Sequence, residues 1–109
     1  MSYKIILTPT FEKEFKRLLK KYPSIKLDIF ELGKSLQDNP IQGSEVFKNC
    51  YKIRLAIKSK GKGKSGGGRV ITFVKITEES VYLLSIYDKS DKETVTDTYL
   101  KQLLLDIKE

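Results

Sequence analysis

The sequence contains no histidine and one cysteine, Cys50, so its reactive side chains are those of lysine, arginine, tyrosine, aspartate and glutamate. The absence of histidine excludes serine–histidine and cysteine–histidine catalytic pairs, and it excludes the usual zinc sites. A single cysteine excludes an internal disulfide and any multi-cysteine metal site. We therefore expect no metal, no other cofactor and no disulfide partner, and any catalysis must use cations, phenols or carboxylates.

The basic residues concentrate in one third of the chain. Between Val46 and Thr77 there are nine lysine and arginine residues and no aspartate or glutamate. The chain as a whole has a net charge of +7, whereas the residues outside this window have a net charge of −2. A field of one sign attracts polyanions, and nucleic acid is the default partner. The alternative is a solvated loop that aids solubility, but such surfaces normally mix charge signs.

The first part of this basic window alternates apolar and mostly cationic residues. Over 51–58 the alternation predicts a strand with one apolar face and one cationic face, which carries Lys52 and Arg54. A flexible hairpin loop rich in glycine and lysine should follow over Ser59–Gly68. We consider four lysines of this region as candidate RNA-binding residues: Lys52, Lys60, Lys62 and Lys64.

Further polar side chains should meet the loop at one edge of a sheet. Arg69 opens the next predicted strand, Tyr87 ends a third strand, and Lys89 follows it. If consecutive strands pair antiparallel, the end of the first, the start of the second and the end of the third share one edge. Arg69, Tyr87 and Lys89 should therefore converge there, with Arg54 a few residues further in on the same surface.

The elements that position these residues form one α+β domain over residues 1–109. Strands are predicted over Tyr3–Leu7, Tyr51–Lys58, Arg69–Ile76 and Val81–Tyr87, and helices over Thr10–Lys20, Ser24–Gln37 and about Thr96–Ile107. The order β-α-α-β-β-β-α predicts a small, twisted, mainly antiparallel sheet that packs against two N-terminal helices and a C-terminal helix. The N-terminal strand allows one parallel pairing. The third long strand should lie centrally because both of its faces are apolar.

The sequence shows no targeting or membrane signal. No apolar run approaches the roughly 20 residues needed to span a bilayer. The N-terminal segment is too short and too quickly polar for a signal peptide. We therefore expect a cytoplasmic protein with no membrane partner.

The segment Gly61–Ser65 has a superficial similarity to a phosphate-binding loop of nucleoside triphosphatases. That motif requires a glycine five positions before its final Gly-Lys-Ser, and Lys58 occupies that position here. It also requires a helix after the loop, whereas the pattern here predicts a strand. We reject this reading, although the glycines would still let backbone N–H groups approach phosphates.

Three segments together resemble the RelE/ParE superfamily of toxin–antitoxin toxins, and within it the HigB-like group. The segments are Tyr51–Arg54, Gly61–Ile71 and Leu83–Ser90. Their combination is specific, and the likeness in element order extends over essentially the whole chain. The resemblance implies a ribosome-dependent endoribonuclease that cuts mRNA in the aminoacyl site. It also implies a cognate antitoxin that holds the toxin inactive.

The resemblance also implies roles for single residues. Cleavage of RNA by its 2′-hydroxyl requires a base, charge stabilisation at phosphorus and an acid for the leaving 5′-oxygen. Arg69 would clamp the scissile phosphate, and Arg54 would support the same charge. Tyr87 would stack on or orient a base. Lys89, where RelE has an arginine, would assist the leaving oxygen, and the loop lysines would serve as base or as ribosomal RNA contacts.

Two other functions compete with the nuclease. One is a ParE-like inhibitor that binds DNA gyrase without cleaving nucleic acid, and the other is a simple RNA-binding module. The cationic strand face favours the nuclease, because a gyrase inhibitor needs no cluster that stabilises a cleaved phosphate. The expected partners are the ribosome, mRNA and an antitoxin of helix-turn-helix type, which should present an acidic or amphipathic segment.

Overall fold

The computed structural model describes residues 2–91 and 95–107 of the chain. The strands are β1 (Lys4–Leu7), β2 (Ser44–Phe47), β3 (Cys50–Leu55), β4 (Gly68–Lys75) and β5 (Ser80–Asp88). The helices are α1 (Pro9–Lys21), α2 (Ile25–Asp38), the single turn α3 (Gly63–Gly66) and α4 (Asp97–Leu104). Short 3-10 turns cover Lys58–Lys60 and Ile76–Glu78. No helix within this part of the chain is both long and apolar enough to cross a membrane.

The five strands form one sheet in the order β1-β5-β4-β3-β2. β1 pairs with β5 in parallel, and the other neighbours are antiparallel. The predicted α+β class, the parallel pairing of the N-terminal strand and the central place of the last strand are therefore confirmed. β5 lies between β1 and β4, and helices cover both faces of the sheet. Nearly every residue along β5 is buried for this reason.

Strand β2 was absent from the predicted element order, and that order was wrong at this point. β2 pairs with β3 through a tight turn in which Asn49 has a φ of 63°. Asparagine tolerates this left-handed conformation better than most residues. The strand has only four residues, and its register is irregular between Glu45 and Phe47, next to the turn. It is too short for an alternating pattern to stand out in the sequence.

Apolar residues fill both faces of the sheet. On one face, α1 contributes Phe11 and Leu18, and α2 contributes Ile25 and Leu36. These side chains form a core with residues of β1, β3, β4 and β5. On the other face, α4 contributes Leu100 and Leu103, which are clustered with residues that include Ile71, Leu84 and Tyr87. The two predicted N-terminal helices have the expected ends within one residue. The last helix stops at Leu104 rather than at Ile107.

Helix α1 also seals the open edge of β5. β1 ends at Leu7, so the second half of β5 has no strand beside it on that side. The backbone N–H of Thr8 donates to the carbonyl of Leu83 (3.2 Å), and the N–H of Ile86 donates to Glu14 Oε1 (3.1 Å). The helix thus supplies acceptors and donors that a sixth strand would otherwise supply.

Thr8 connects this seal to the start of α1. Its buried hydroxyl donates to the carbonyl of Leu83 (2.9 Å) and accepts from the N–H of Phe11 (3.3 Å), which makes it the N-cap of α1. Replacing an N-cap threonine costs about 1–2 kcal/mol. We expect Thr8→Val to lower the free energy of unfolding by about 2 kcal/mol, because the Leu83 bond is lost together with the cap.

Urea unfolding followed by circular dichroism measures this change. Thr77→Val is the matched control, because Thr77 is exposed and should change stability by less than about 0.5 kcal/mol. Equal stabilities of the two variants would contradict the assigned cap.

Candidate nucleic-acid interface

Three predicted site residues form a row across adjacent strands. Arg54 on β3 lies opposite Arg69 on β4, and Arg69 lies opposite Tyr87 on β5. Directly opposed residues point to the same face with Cβ atoms roughly 5 Å apart. We call these three residues the cationic row. The expectation that Arg54 lies further in was wrong: β3 ends at Leu55, earlier than predicted, so Arg54 pairs directly with Arg69.

The guanidinium of Arg69 holds the turn α3 in place. Its Nη1 donates to the carbonyls of Lys64 (3.0 Å) and Gly68 (2.9 Å), and its Nη2 donates to that of Ser65 (3.3 Å). A cation is favourable at helical carbonyls that lack an internal partner. These bonds use three of the five N–H donors of the side chain. Arg69 is thereby fixed in direction and still has donors for a phosphate.

Tyr87 lies beneath α4. Its side chain is only 5% exposed and belongs to one apolar cluster with Leu100 and Leu103. Burial raises the pKa of Tyr87, the charge of Arg69 lowers it in part, and Tyr99 raises it further. The phenol therefore stays protonated at neutral pH. In this conformation the ring has no open face on which a nucleobase can stack.

The basic loop contains ordered turns instead of a structureless hairpin. Gly61 and Gly63 adopt left-handed φ angles of 75° and 65°. A Cβ atom on Gly67 would lie 2.2 Å from the carbonyl oxygen of Leu55, so only glycine lets the loop return against β3. The backbone N–H of Lys89 donates to the carbonyl of Gly67 (3.1 Å). The loop is therefore fastened to the residue that follows β5.

The candidate RNA-binding lysines differ in their surroundings. Lys62 and Lys64 are exposed on the loop, and Lys52 is half-buried on the same face as Arg54. Lys60 instead donates from Nζ to Asp88 Oδ1 (2.5 Å), with 11% of its own side chain and 1% of that of Asp88 exposed. The structure gives Lys60 a partner inside the protein and brings the other three lysines to the surface around the row.

Asp88 is the centre of a buried network that the sequence analysis missed. Besides Lys60, its carboxylate accepts from the hydroxyl of Tyr22 (2.6 Å) and from the N–H and hydroxyl of Ser90 (2.9 Å each). Burial alone raises the pKa of Asp88, but the bonds from Lys60, Tyr22 and Ser90 outweigh it and hold that pKa well below its usual range. The network joins the end of α1, the basic loop and the end of β5.

A second polar chain crosses the sheet next to the row. Ser85 Oγ donates to Glu14 Oε1 (2.7 Å), so the hydroxyl of Tyr99, 3.1 Å away, must be the donor to Ser85. The chain links α1 to α4 through β5. A serine in the middle of the apolar run Val81–Ile86 was the sequence signal that could have revealed it.

The site as a whole suits an anionic ligand. Arg54 and Arg69 are direct neighbours, and no salt bridge within residues 2–91 and 95–107 involves either of them. A phosphate that reached both side chains would accept hydrogen bonds from each guanidinium group. No group of acidic or cysteine side chains in the described part of the chain is arranged to hold a metal ion.

No protein-family model matches this sequence. Two solved structures of the Escherichia coli toxin RelE are similar over nearly the whole chain. A double arginine-to-alanine variant in the free state has a TM-score of 0.65 at 16% identity, covering 98% of this chain and 99% of that chain. The isolated toxin has a TM-score of 0.55 at 18% identity, covering 97% and 100%. The RelE-like fold predicted from the sequence is therefore confirmed.

The Asp88 network should make stability depend on pH. Because the folded pKa is depressed, the stabilisation is present above the unfolded value of about 3.9 and is lost as the pH falls toward the folded value. Asp88→Asn should lower the free energy of unfolding at pH 7 by about 3 kcal/mol, because Lys60 stays buried without a counter-charge. This difference from the wild type should shrink between about pH 5 and pH 2.

Denaturant unfolding at a series of pH values tests this prediction. Asp38→Asn, which removes an exposed carboxylate, is the matched control and should follow the wild type closely. If the Asp88→Asn curve runs parallel to that of the wild type at all pH values, the network does not stabilise the fold in the way described.

Proposed function

We propose that this chain of RelE-like fold is the toxin of a type II toxin–antitoxin system, a ribosome-dependent endoribonuclease that cleaves translated mRNA in the cytoplasm. The observation that carries the proposal is the cationic row, in which Arg54, Arg69 and Tyr87 lie side by side on three strands. Two arginine side chains that both reach the phosphate stabilise a dianionic phosphorus centre better than a single one. The fold similarity to RelE supports the same function.

In this mechanism Arg69 binds the scissile phosphate. Its bonds to the carbonyls of Lys64, Ser65 and Gly68 fix its direction before RNA arrives. A donor that is already oriented needs no reorganisation when charge develops on the phosphate, and this is the main source of its catalytic effect. Arg54, directly opposite, adds the second positive charge.

Tyr87 acts through its hydroxyl in this proposal. Helix α4 covers the ring. The phenol is protonated, and the positive charge of Arg69 partly lowers its pKa. Because the hydroxyl oxygen is buried as well as the ring, its role is to orient the phosphate-binding group, and stacking becomes the less favoured role. Lys89, held beside Gly67, assists the leaving 5′-oxygen. Lys62 and Lys64 are exposed and serve as base or as contacts to ribosomal RNA.

The proposed partners follow from the same charges. The net charge of +7 and the acid-free window favour the ribosome as the surface on which the chain acts. A cognate antitoxin of helix-turn-helix type would keep the toxin inactive with an acidic or amphipathic segment. Such a segment acts either over the cationic row or by blocking entry into the ribosome.

Arg69→Ala should lower the rate of mRNA cleavage by about 10²–10³, since that is the usual effect of losing one stabilising donor. Primer extension on translated mRNA measures the rate, and thermal melting verifies the fold. Lys34→Ala is the matched control, because it removes an exposed cation from α2, on the opposite face of the sheet.

Two results would contradict the proposal. A folded Arg69→Ala protein that cleaves at the wild-type rate would exclude Arg69 from the site. A wild-type protein that cleaves no mRNA but inhibits supercoiling by DNA gyrase would show that the ParE-like alternative is correct.

The loop lysines should contribute to ribosome binding by releasing counterions. Neutralising Lys62 and Lys64 to glutamine should reduce the slope of log K against log salt by about 0.7–0.9 per lost contact. Ribosome binding measured at several potassium concentrations gives this slope. Lys26→Gln with Lys34→Gln on α2 is the control of equal charge and should leave it unchanged. The same unchanged slope for the loop variant would place the loop away from RNA.

A further inference from the structure

Helix α1 carries a second basic surface. It lies outside the acid-free window of residues 46–77, in a part of the chain where basic and acidic residues are mixed. Lys13, Lys16, Arg17 and Lys20 follow a spacing of i, i+3, i+4 and i+7, which places them on one stripe of the helix. All four side chains are exposed. Together with Pro9 and Glu12 they line one shallow groove. We call these four cations the α1 ridge.

The ridge is not explained by the stability of the helix. None of its cations takes part in a salt bridge within the part of the chain that the structure describes. Like charges three and four residues apart on a helix repel each other. Lys20 is favourable in the last turn, but this effect does not reach Lys13 or Lys16. Glu14 is turned inward to Ser85 and Ile86, which leaves Glu12 as the acidic residue of the groove.

The ridge comes next to the cationic row at Arg17. The row runs from β3 across β4 to β5, and α1 lies at the open edge of β5 in place of a further strand. A small cavity of about 130 Å³ at this junction is lined by Arg17 of the ridge and by Tyr87 of the row. Its carboxylates are those of Glu14 and Asp88, both already bonded, and of the exposed Asp91.

The composition of the ridge favours a phosphate backbone as its ligand. Proteins that hold single-stranded RNA stack its bases on aromatic side chains, and the groove contains none. Protein partners are usually anchored by aromatic or aliphatic side chains. The exposed large apolar residues of the described chain all lie outside α1. Duplex RNA, in contrast, is bound mainly through its phosphates and 2′-hydroxyl groups.

We propose that the α1 ridge binds the phosphate backbone of a duplex segment of ribosomal RNA, while the cationic row takes the mRNA strand. From Lys13 to Lys20 the helix rises by about 10 Å, a length that spans several phosphates. This proposal rests on the proposed ribosome-dependent function. It adds a docking contact, which fixes how the toxin lies in the ribosome rather than how it cleaves.

The test uses a triple variant, Lys13→Gln, Lys16→Gln and Lys20→Gln, which retains helix-forming residues. Lys26→Gln, Lys34→Gln and Lys101→Gln together form the control of equal charge, since all three lysines are exposed on other helices. Binding to 70S ribosomes and to a 16-base-pair RNA duplex is measured over a series of salt concentrations. Thermal melting verifies that each variant is folded, and a Lys→Arg triple at the ridge positions should keep the wild-type slope.

The ridge variant should lose about 0.9 in salt slope per contact, or about 2–3 units in total, on both probes. A slope equal to that of the control variant overturns the proposal. The proposal is also overturned if the ridge variant binds ribosomes normally but no longer binds the antitoxin, because the ridge would then recognise an acidic protein.

The experiment can refute the proposed nuclease function while supporting the docking role of the α1 ridge. A wild type that binds ribosomes through the ridge without cleaving mRNA refutes the nuclease and supports the ridge.

Discussion

The buried carboxylate of Asp88 is the interaction on which the arrangement of the site depends. Three parts of the chain that are distant in sequence meet at its two oxygens: Tyr22 after α1, Lys60 in the basic loop and Ser90 after β5. A buried charge is costly unless it is paired and fully hydrogen-bonded. Here the pairing is complete only when all three parts are in place. The network thus couples the correct folding of the loop to the correct end of β5.

The same carboxylate sets the position of the residues on either side of it. Asp88 follows Tyr87 directly and precedes Lys89, so its anchoring fixes where both of them lie. The loop that Lys60 fastens at one end is fastened at the other by Arg69. Between these two points the exposed Lys62 and Lys64 are carried on a short, ordered span. The exposed lysines are therefore positioned by the hydrogen bonds of Lys60 and Arg69.

How much of this was predictable depended on whether the signal was local. The helices and β5 were predicted well because each of them has an apolar periodicity within one continuous segment of the sequence. Strand β2 was missed because four residues cannot show a period. The pairing of Arg54 with Arg69 required the register of the hairpin, which depends on where β3 stops. The Lys60–Asp88 pair joins residues 28 positions apart. No local sequence pattern near either residue indicates that the two side chains pair.

The seal that α1 forms along β5 has a consequence for how other chains can join the sheet. Thr8 occupies the carbonyl of Leu83 and Glu14 occupies the N–H of Ile86, so these two backbone groups at the open edge of β5 are not available to a strand from outside. A partner that adds a strand must use the outer edge of β1 or of β2. Both edges are only four residues long, and the N–H of Tyr3 beside β1 is already bonded to Gln37. The molecule is thereby protected against edge-to-edge association along most of its sheet.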